Sequence, residues 1–305
     1  MDEYSIAGRD LQKITSQGTY TAYENTAKED VVERLKGADI AITNKVVIDG
    51  ETMRQLPDLK LICVAATGMN NVDLNAAAEL GIEVKNAVGY STSSVAETTL
   101  ASALALARNI VYFDEYFHDG RYAKADRAFC YDRLTFEIRG KRWGIIGLGN
   151  IGREVARLAS AFGCEVRYYS TSGTKREEAY PSMELKELLE WSDIVSVHSP
   201  LNERTRNLVG REELRAMKPS AIIINVARGG IINEAALAEA LNEAWISAAA
   251  LDVFSVEPLR ESPLYDVKDR YRLLASPHNA WSAAEAIDRL IDCVAENIRT
   301  WKEKQ

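Results

Sequence analysis

Short apolar runs alternate along most of the chain with segments whose apolar residues recur every three to four positions. Runs at 40–43, 61–65 and 82–85 read as buried strands, with helical spacing over 30–36 and 75–80 between them. The rhythm changes at Ser91. A helical pattern continues over 91–117, opened by Ser91-Thr92-Ser93-Ser94, whose hydroxyls suit an N-cap, and predicts one long helix. A polar, aromatic-rich stretch, 118–139, follows. The alternation then returns in cleaner form. Strands are expected at 143–146, 166–169, 194–198, 221–226, 247–253 and 273–276, helices at 151–162, 183–190, 212–217 and 234–243, and a closing helix at 283–301. Such βα alternation predicts parallel sheets covered by crossover helices. The helix from Ser91 and the last helix are the candidates for crossing between two lobes. On that reading residues 1–92 plus 280–305 form one domain and 93–279 a second, inserted one.

A chain of 305 residues suits two such domains, and 47% hydrophobic with 27% charged residues supplies full cores and excludes a disordered chain. No unbroken aliphatic stretch approaches the length of a membrane span. The acidic opening Met1-Asp2-Glu3-Tyr4 argues against a secretory signal. Cys63, Cys130, Cys164 and Cys293 are widely spaced and form no CxxC, so reduced thiols of a cytoplasmic protein are expected, with no metal site and no disulfide framework. The net charge of −8 disfavours nucleic acid and anionic membrane as partners. An anionic ligand would therefore need a local cationic pocket.

Gly147-Leu148-Gly149-Asn150-Ile151-Gly152 lies between the strand at 143–146 and a helix with apolar residues at Ile151, Val155, Leu158, Ala159 and Phe162. GxGxxG alone is a weak signal. In a strand–turn–helix context, with a second strand ending about twenty residues later, it reads as a dinucleotide fingerprint. The glycines allow the tight turn and let the backbone approach a pyrophosphate at the helix N-terminus. The second strand ends at Ser170, where an Asp or Glu would bind the adenosine ribose hydroxyls. Here Ser170, Thr171 and Ser172 precede Lys175 and Arg176, so no carboxylate repels a 2′-phosphate and either cation could pair with it. The expectation is that NADPH is accepted as well as NADH. The alternative is a solvated loop that binds NADH with less ribose discrimination.

The chain has three histidines. His118 falls in the aromatic stretch with no motif around it. His198 ends a strand before Ser199-Pro200, and His278 follows the last strand in Ser276-Pro277-His278-Asn279-Ala280-Trp281. Two neighbouring strands also end in chemistry: Asn225-Val226-Ala227-Arg228-Gly229-Gly230 places an arginine, and Leu251-Asp252-Val253-Phe254-Ser255-Val256-Glu257-Pro258 places carboxylates. The carboxyl edge of a parallel sheet is where cofactors lie.

In these motifs together with the phosphate loop, and over nearly its whole length, the chain resembles the D-2-hydroxyacid dehydrogenases. Residues 67–73 and 86–97 look most similar to those of glycerate dehydrogenases, which reduce hydroxypyruvate. The resemblance implies two doubly wound parallel-sheet lobes, a Rossmann-type nucleotide-binding lobe inserted into a flavodoxin-like substrate lobe. It implies that Arg228 grips the substrate carboxylate and polarises the keto oxygen, that His278 is the acid/base and that Glu257 pairs with it. Such a set suits the reaction, because hydride arrives at carbon while a proton must reach oxygen near neutral pH. Arg228 would offer a bidentate fork and a fixed charge to the developing alkoxide.

By the same resemblance Asp252 holds the nicotinamide carboxamide, and His198, Pro200, Thr205, Val226 and Ala227 line the cofactor. Thr67, Gly68, Met69 and Asn70 would form the loop whose N–H groups meet the substrate carboxylate, although a plain βα turn is the structural alternative there. A homodimer through the nucleotide-binding lobe is also implied. The substrate would be hydroxypyruvate, then glyoxylate, reduced to the D-hydroxy acid; 3-phosphohydroxypyruvate and a non-catalytic NADH sensor are the rivals. Two departures stand out. Glycerate dehydrogenases commonly carry an aromatic residue near Met69, and family members open with an apolar strand, whereas Met1-Asp2-Glu3 begins where that strand would end.

Overall fold

Residues 1–6, 8–173 and 177–305 are described by the computed structural model, and the backbone divides into two units, Met1–Ser91 with Ser282–Gln305 (unit 1) and Thr92–Trp281 (unit 2). Unit 1 runs α1 (Gln12–Thr15), α2 (Val31–Leu35), β1 (Ile40–Thr43), α3 (Gly50–Arg54), β2 (Leu61–Val64), α4 (Leu74–Glu79) and β3 (Glu83–Asn86). Its sheet has the order β1-β2-β3, all parallel, with Ile40 opposite Leu61 and Leu61 opposite Glu83. The central strand is buried at all four positions, which accounts for its uninterrupted Leu-Ile-Cys-Val run. α4 begins where the Asp73 carboxylate accepts the Ala76 N–H at 3.0 Å.

The first residues form a 3₁₀ turn, Glu3–Ile6. Met1 donates its ammonium to the Ile42 carbonyl at 3.0 Å, and the buried Asp2 carboxylate accepts the Asn44 N–H at 2.9 and 3.0 Å. Among the described residues β1 therefore has a ladder only on its β2 side. A cavity of about 820 Å³ lies along it, lined in part by Leu35, Ile40, Ile42, Tyr20, Tyr23 and Trp301.

Unit 2 runs α5 (Thr92–Ala107), α6 (Ile110–His118), β4 (Arg142–Ile146), α7 (Asn150–Ala161), β5 (Glu165–Tyr169), α8 (Leu185–Trp191) and β6 (Ile194–Val197). It continues with α9 (Arg211–Ala216), β7 (Ile222–Asn225), α10 (Glu234–Asn242), β8 (Ala248–Leu251) and β9 (Leu273–Ala275), before α11 (Ala284–Lys302) returns to unit 1. The six parallel strands lie in the order β5-β4-β6-β7-β8-β9, and beyond β5 a single parallel bridge joins Tyr168 to Ser182. Alternate residues feed two cores. Trp143, Ile145, Val166, Ile194, Ile224 and Ala250 pack with α5 and α7 on one face. Ile146, Val195, Val197, Ile223, Ala249 and Leu251 pack with α8, α9 and α10 on the other. Both faces are covered, so the central strands β6, β7 and β8 are buried at every position and mostly apolar. Trp143, fully buried, still satisfies its Nε1 by donating to Ser196 Oγ at 2.9 Å.

The single helix expected over 91–117 is two. Asn109 takes a left-handed backbone (φ 50) between α5 and α6, and its side chain donates to the Leu134 carbonyl at 2.9 Å. Asparagine tolerates that region better than most residues, so the helical pattern survives while the axis breaks. The stretch at 118–139 has one 3₁₀ turn, Tyr122–Lys124. Arg133 stacks over Tyr112 and Tyr271 and bonds Asp269 with 2.7 Å contacts, while Phe129, Tyr131 and Leu134 stand 74%, 80% and 90% exposed. Among the described residues no helix is long and apolar enough to cross a membrane.

Candidate active site

One row across the unit 2 sheet delivers the candidate residues. Ile146 pairs with both Tyr169 and Val197, Val197 with Asn225, and Asn225 with Leu251. Leu251 pairs in turn with Ala275, so the residues that follow this row are Gly147, Ser170, His198, Val226, Asp252 and Ser276, and six loops leave the sheet side by side at its carboxyl edge.

Gly147 takes φ +93, a region that an L side chain rarely enters, and donates its N–H to the Tyr169 carbonyl at 2.9 Å. A Cβ on it would stand 3.0 Å from the Ser199 backbone, and one on Gly152 would stand 2.3 Å from the Gly147 carbonyl oxygen. α7 starts after Gly149 with no side-chain cap, which leaves the first N–H groups, including those of Asn150 and Ile151, for a ligand. A bare turn of this shape fits a pyrophosphate. Beyond β5, the hydroxyls of Ser170 and Ser172 are 3.3 Å apart, with Thr171 between them. Arg204, on the loop after β6, donates Nη1 to the Ser172 carbonyl at 3.5 Å. Lys175 and Arg176 lie outside the described residues.

After β6, the His198 N–H donates to the Ile146 carbonyl at 2.8 Å, and both ring nitrogens are buried without a hydrogen-bond partner among the described residues. Burial pushes the imidazole down to about 3, so the ring is neutral. Thr205, fully buried, donates to the Pro200 carbonyl at 2.7 Å and accepts the Asn202 N–H at 2.8 Å. Its side chain thus shapes the turn that presents Pro200.

After β7, buried Asn225 brackets the next turn: its amide donates to the Arg228 carbonyl at 2.9 Å and its oxygen accepts the Ala227 N–H at 3.1 Å. Arg228 donates Nη1 to the Ala227 carbonyl at 2.7 Å. After β8, the Asp252 carboxylate, 2% exposed, accepts from Ser276 Oγ at 2.5 Å and from the N–H groups of Asn279 and Ala280 at 3.0 and 2.9 Å. The His278 N–H bonds the Asp252 carbonyl at 2.7 Å. Asp252 therefore folds the turn in which His278 adopts φ 54. Across that turn His278 Nδ1 meets Glu257 Oε2 at 2.6 Å, while Glu257 Oε1 accepts the Phe254 N–H at 3.0 Å. With Nδ1 engaged by a carboxylate, Nε2 is the nitrogen left to exchange a proton.

Thr67, Gly68, Met69 and Asn70 follow the central strand of unit 1, whereas every residue described above belongs to unit 2. Thr67 donates its hydroxyl to the Ala87 carbonyl at 3.0 Å, and its backbone carbonyl accepts from Asn86 Nδ2 at 2.6 Å. The Val72 N–H closes a turn onto the Met69 carbonyl at 3.0 Å. Asn225 and Arg204 were not singled out from the sequence. Asn225 stands inside the Asn-Val-Ala-Arg motif and is the signal missed; for Arg204 only the sheet order brings the 170–173 and 200–205 loops together.

A glycine-rich turn at the edge of a parallel sheet, with a carboxylate–imidazole pair and an arginine on adjacent loops, defines a dinucleotide-dependent oxidoreductase. Residues 100–280 match the family model described as D-isomer specific 2-hydroxyacid dehydrogenase, NAD binding domain. The chain is 39% identical over 287 residues to a glycerate dehydrogenase of Methylorubrum extorquens, covering 92% of this chain and 88% of that one. It is 33% identical over 306 residues to a hydroxypyruvate reductase of Blautia hydrogenotrophica, covering 98% and 94%. Among solved structures, an acyclic imino acid reductase (Bsp5) in complex with NADPH and D-Arg superposes with a TM-score of 0.86 at 29% identity, covering 96% and 92%. The chain belongs to the D-isomer specific 2-hydroxyacid dehydrogenase family, oxidoreductases that act between 2-keto and 2-hydroxy acids.

Proposed function

We propose that this enzyme reduces hydroxypyruvate, and more slowly glyoxylate, to the D-2-hydroxy acid with NADH or NADPH. The observation that carries the reading is the 2.6 Å contact between His278 Nδ1 and Glu257 on the loop next to Arg228. When bound, the nicotinamide supplies hydride to the keto carbon. Arg228 binds the substrate carboxylate and steadies charge on the keto oxygen. His278 donates its Nε2 proton to that oxygen, and Glu257 fixes the orientation of the ring through Nδ1. Asp252 holds the His278 turn and offers its remaining lone pair to the carboxamide. The resemblance of residues 67–70 to a substrate-binding loop supports reading unit 1 as the substrate domain and unit 2 as the nucleotide domain. The relatives' names, glycerate dehydrogenase and hydroxypyruvate reductase, support the choice of acid.

Use of NADPH is supported by Ser170 in place of an acid and by Arg204 beside Ser172. Exposed Phe129, Tyr131 and Leu134 on unit 2 support a homodimer through that unit. Four free cysteines, two of them buried, support a cytoplasmic setting. The test is a matrix of initial rates, NADH or NADPH against hydroxypyruvate, glyoxylate, pyruvate and 3-phosphohydroxypyruvate. Fastest turnover of hydroxypyruvate is expected. Nucleotide binding with no turnover of any of the four would overturn the reading.

A further inference from the structure

Glu234 is the first residue of α10, whose N-terminus is already capped by Asn233 accepting the Ala236 N–H at 2.9 Å. The Glu234 carboxylate does something else. Its Oε1 accepts the Ser255 N–H at 2.6 Å and its Oε2 accepts from Ser262 Oγ at 3.3 Å. Those two serines bracket Glu257. Residues 255–258 of this loop are exposed and have no helix or strand, and a segment of that kind moves unless it is tied. Within the loop, the Phe254 N–H grips Glu257 Oε1 at 3.0 Å, so the position of Ser255 passes directly to the carboxylate that meets His278.

We propose that Glu234 is a positioning residue for proton transfer: it clamps both ends of the 255–262 loop and so holds Glu257 against the His278 ring. A glutamate in the first turn of a helix also favours the helix dipole, but that role needs its charge, whereas a clamp needs only acceptor oxygens. Glutamine separates the two, because its amide oxygen still accepts the Ser255 N–H.

The inference rests on His278 as the proton donor and is tested on the whole enzyme with its best keto acid. Glu234→Ala is expected to lower kcat about 10- to 100-fold, since displacements near 1 Å at a reacting group cost that much. KM and the NADH dissociation constant should stay within about twofold, and the solvent deuterium isotope effect on kcat should rise as proton transfer becomes limiting. Glu234→Gln should return kcat to within about threefold of wild type. If Glu234→Ala does not fold, Ser262→Ala removes one of the two ties and should give a smaller kcat loss with the same rise in isotope effect. A wild-type kcat in Glu234→Ala, equal damage from Glu234→Gln, or KM rising in step with the kcat loss would each overturn the clamp. His278→Ala run in parallel separates the failures: if it keeps turnover, the proton-donor reading falls, and if it alone loses turnover, only the role of Glu234 falls.

Discussion

Replacing Gly229 by alanine inserts one methyl group between the two loops that carry Arg228 and Glu257. A Cβ at Gly229 would stand 1.9 Å from both the carbonyl carbon and oxygen of Phe254 and 2.4 Å from the Ser255 nitrogen. All three are backbone atoms, so no side chain can swing aside. Backing off from 1.9 Å to the 3.4 Å of ordinary contact requires about 1.5 Å of relative movement. The Phe254 N–H holds Glu257 Oε1, and Glu257 meets His278 at 2.6 Å, so a shift of that size opens the pair beyond hydrogen-bond reach. The expected loss in kcat/KM is about 10²-fold, or about 2.7 kcal/mol of transition-state stabilisation. Overpacking should also cost about 1–3 kcal/mol of stability, read as a lower Tm. Nucleotide affinity should hold, because the phosphate loop leaves β4 two strands away. Steady-state kinetics, fluorescence titration with NADH and a thermal melt measure the three quantities. A variant with kcat/KM within fivefold of wild type and an unchanged Tm would refute the argument.

Arg228→Ala should raise KM for the keto acid and lower kcat together, whereas His278→Ala should lower kcat with KM little changed; near wild-type turnover of His278→Ala at neutral pH would remove it as the donor. Arg204→Ala should weaken NADPH about two- to fivefold at low salt and leave NADH unaffected, as expected for an exposed charge pair, and titration with each nucleotide decides it. His198 carries the pH prediction. Its folded value lies near 3 against 6.5 for the free group, so as pH falls below 6.5 the unfolded chain takes the proton first. Stability is therefore lost on acidification, by up to about 1.4 kcal/mol per pH unit from this group. His198→Phe should show a shallower decline in urea unfolding between pH 7 and 4; parallel curves for the two proteins would contradict the burial argument.

The strands of unit 2 were legible because a sheet covered on both faces leaves few polar positions, so runs such as Trp143–Ile146 or Ile194–Val197 stand out from loop. The phosphate loop was legible for the related reason that its glycines are spaced by the turn they make. The break at Asn109 was not, since Ile110 onward continues a helical pattern and the left-handed backbone is visible only once Asn109 meets Leu134. The short α1 and α3 are too brief to display a period. Arg204 and Glu234 lie far along the chain from the groups they serve. Glu234 precedes Ser255 by twenty-one residues, and no local pattern announces a bond that the fold alone creates. His278 and Glu257, also twenty-one residues apart, were legible only because their motifs resemble those of a known family.

Unit 2 is one unbroken segment, whereas unit 1 is assembled from two stretches separated by all of unit 2. α11 packs on β2, β3 and α1, and its Arg289 donates to the Tyr90 carbonyl at 2.8 Å, so the early part of unit 1 is finished by the last helix of the chain. On the ribosome, the first ninety or so residues emerge long before the helix that covers them, while the nucleotide-binding half has every one of its strands in hand before α11 is made. A ribosome stalled near residue 282 would release a product whose phosphate loop is built and whose first sheet is bare on one face, a species that holdase chaperones and proteases would be expected to recognise by that face.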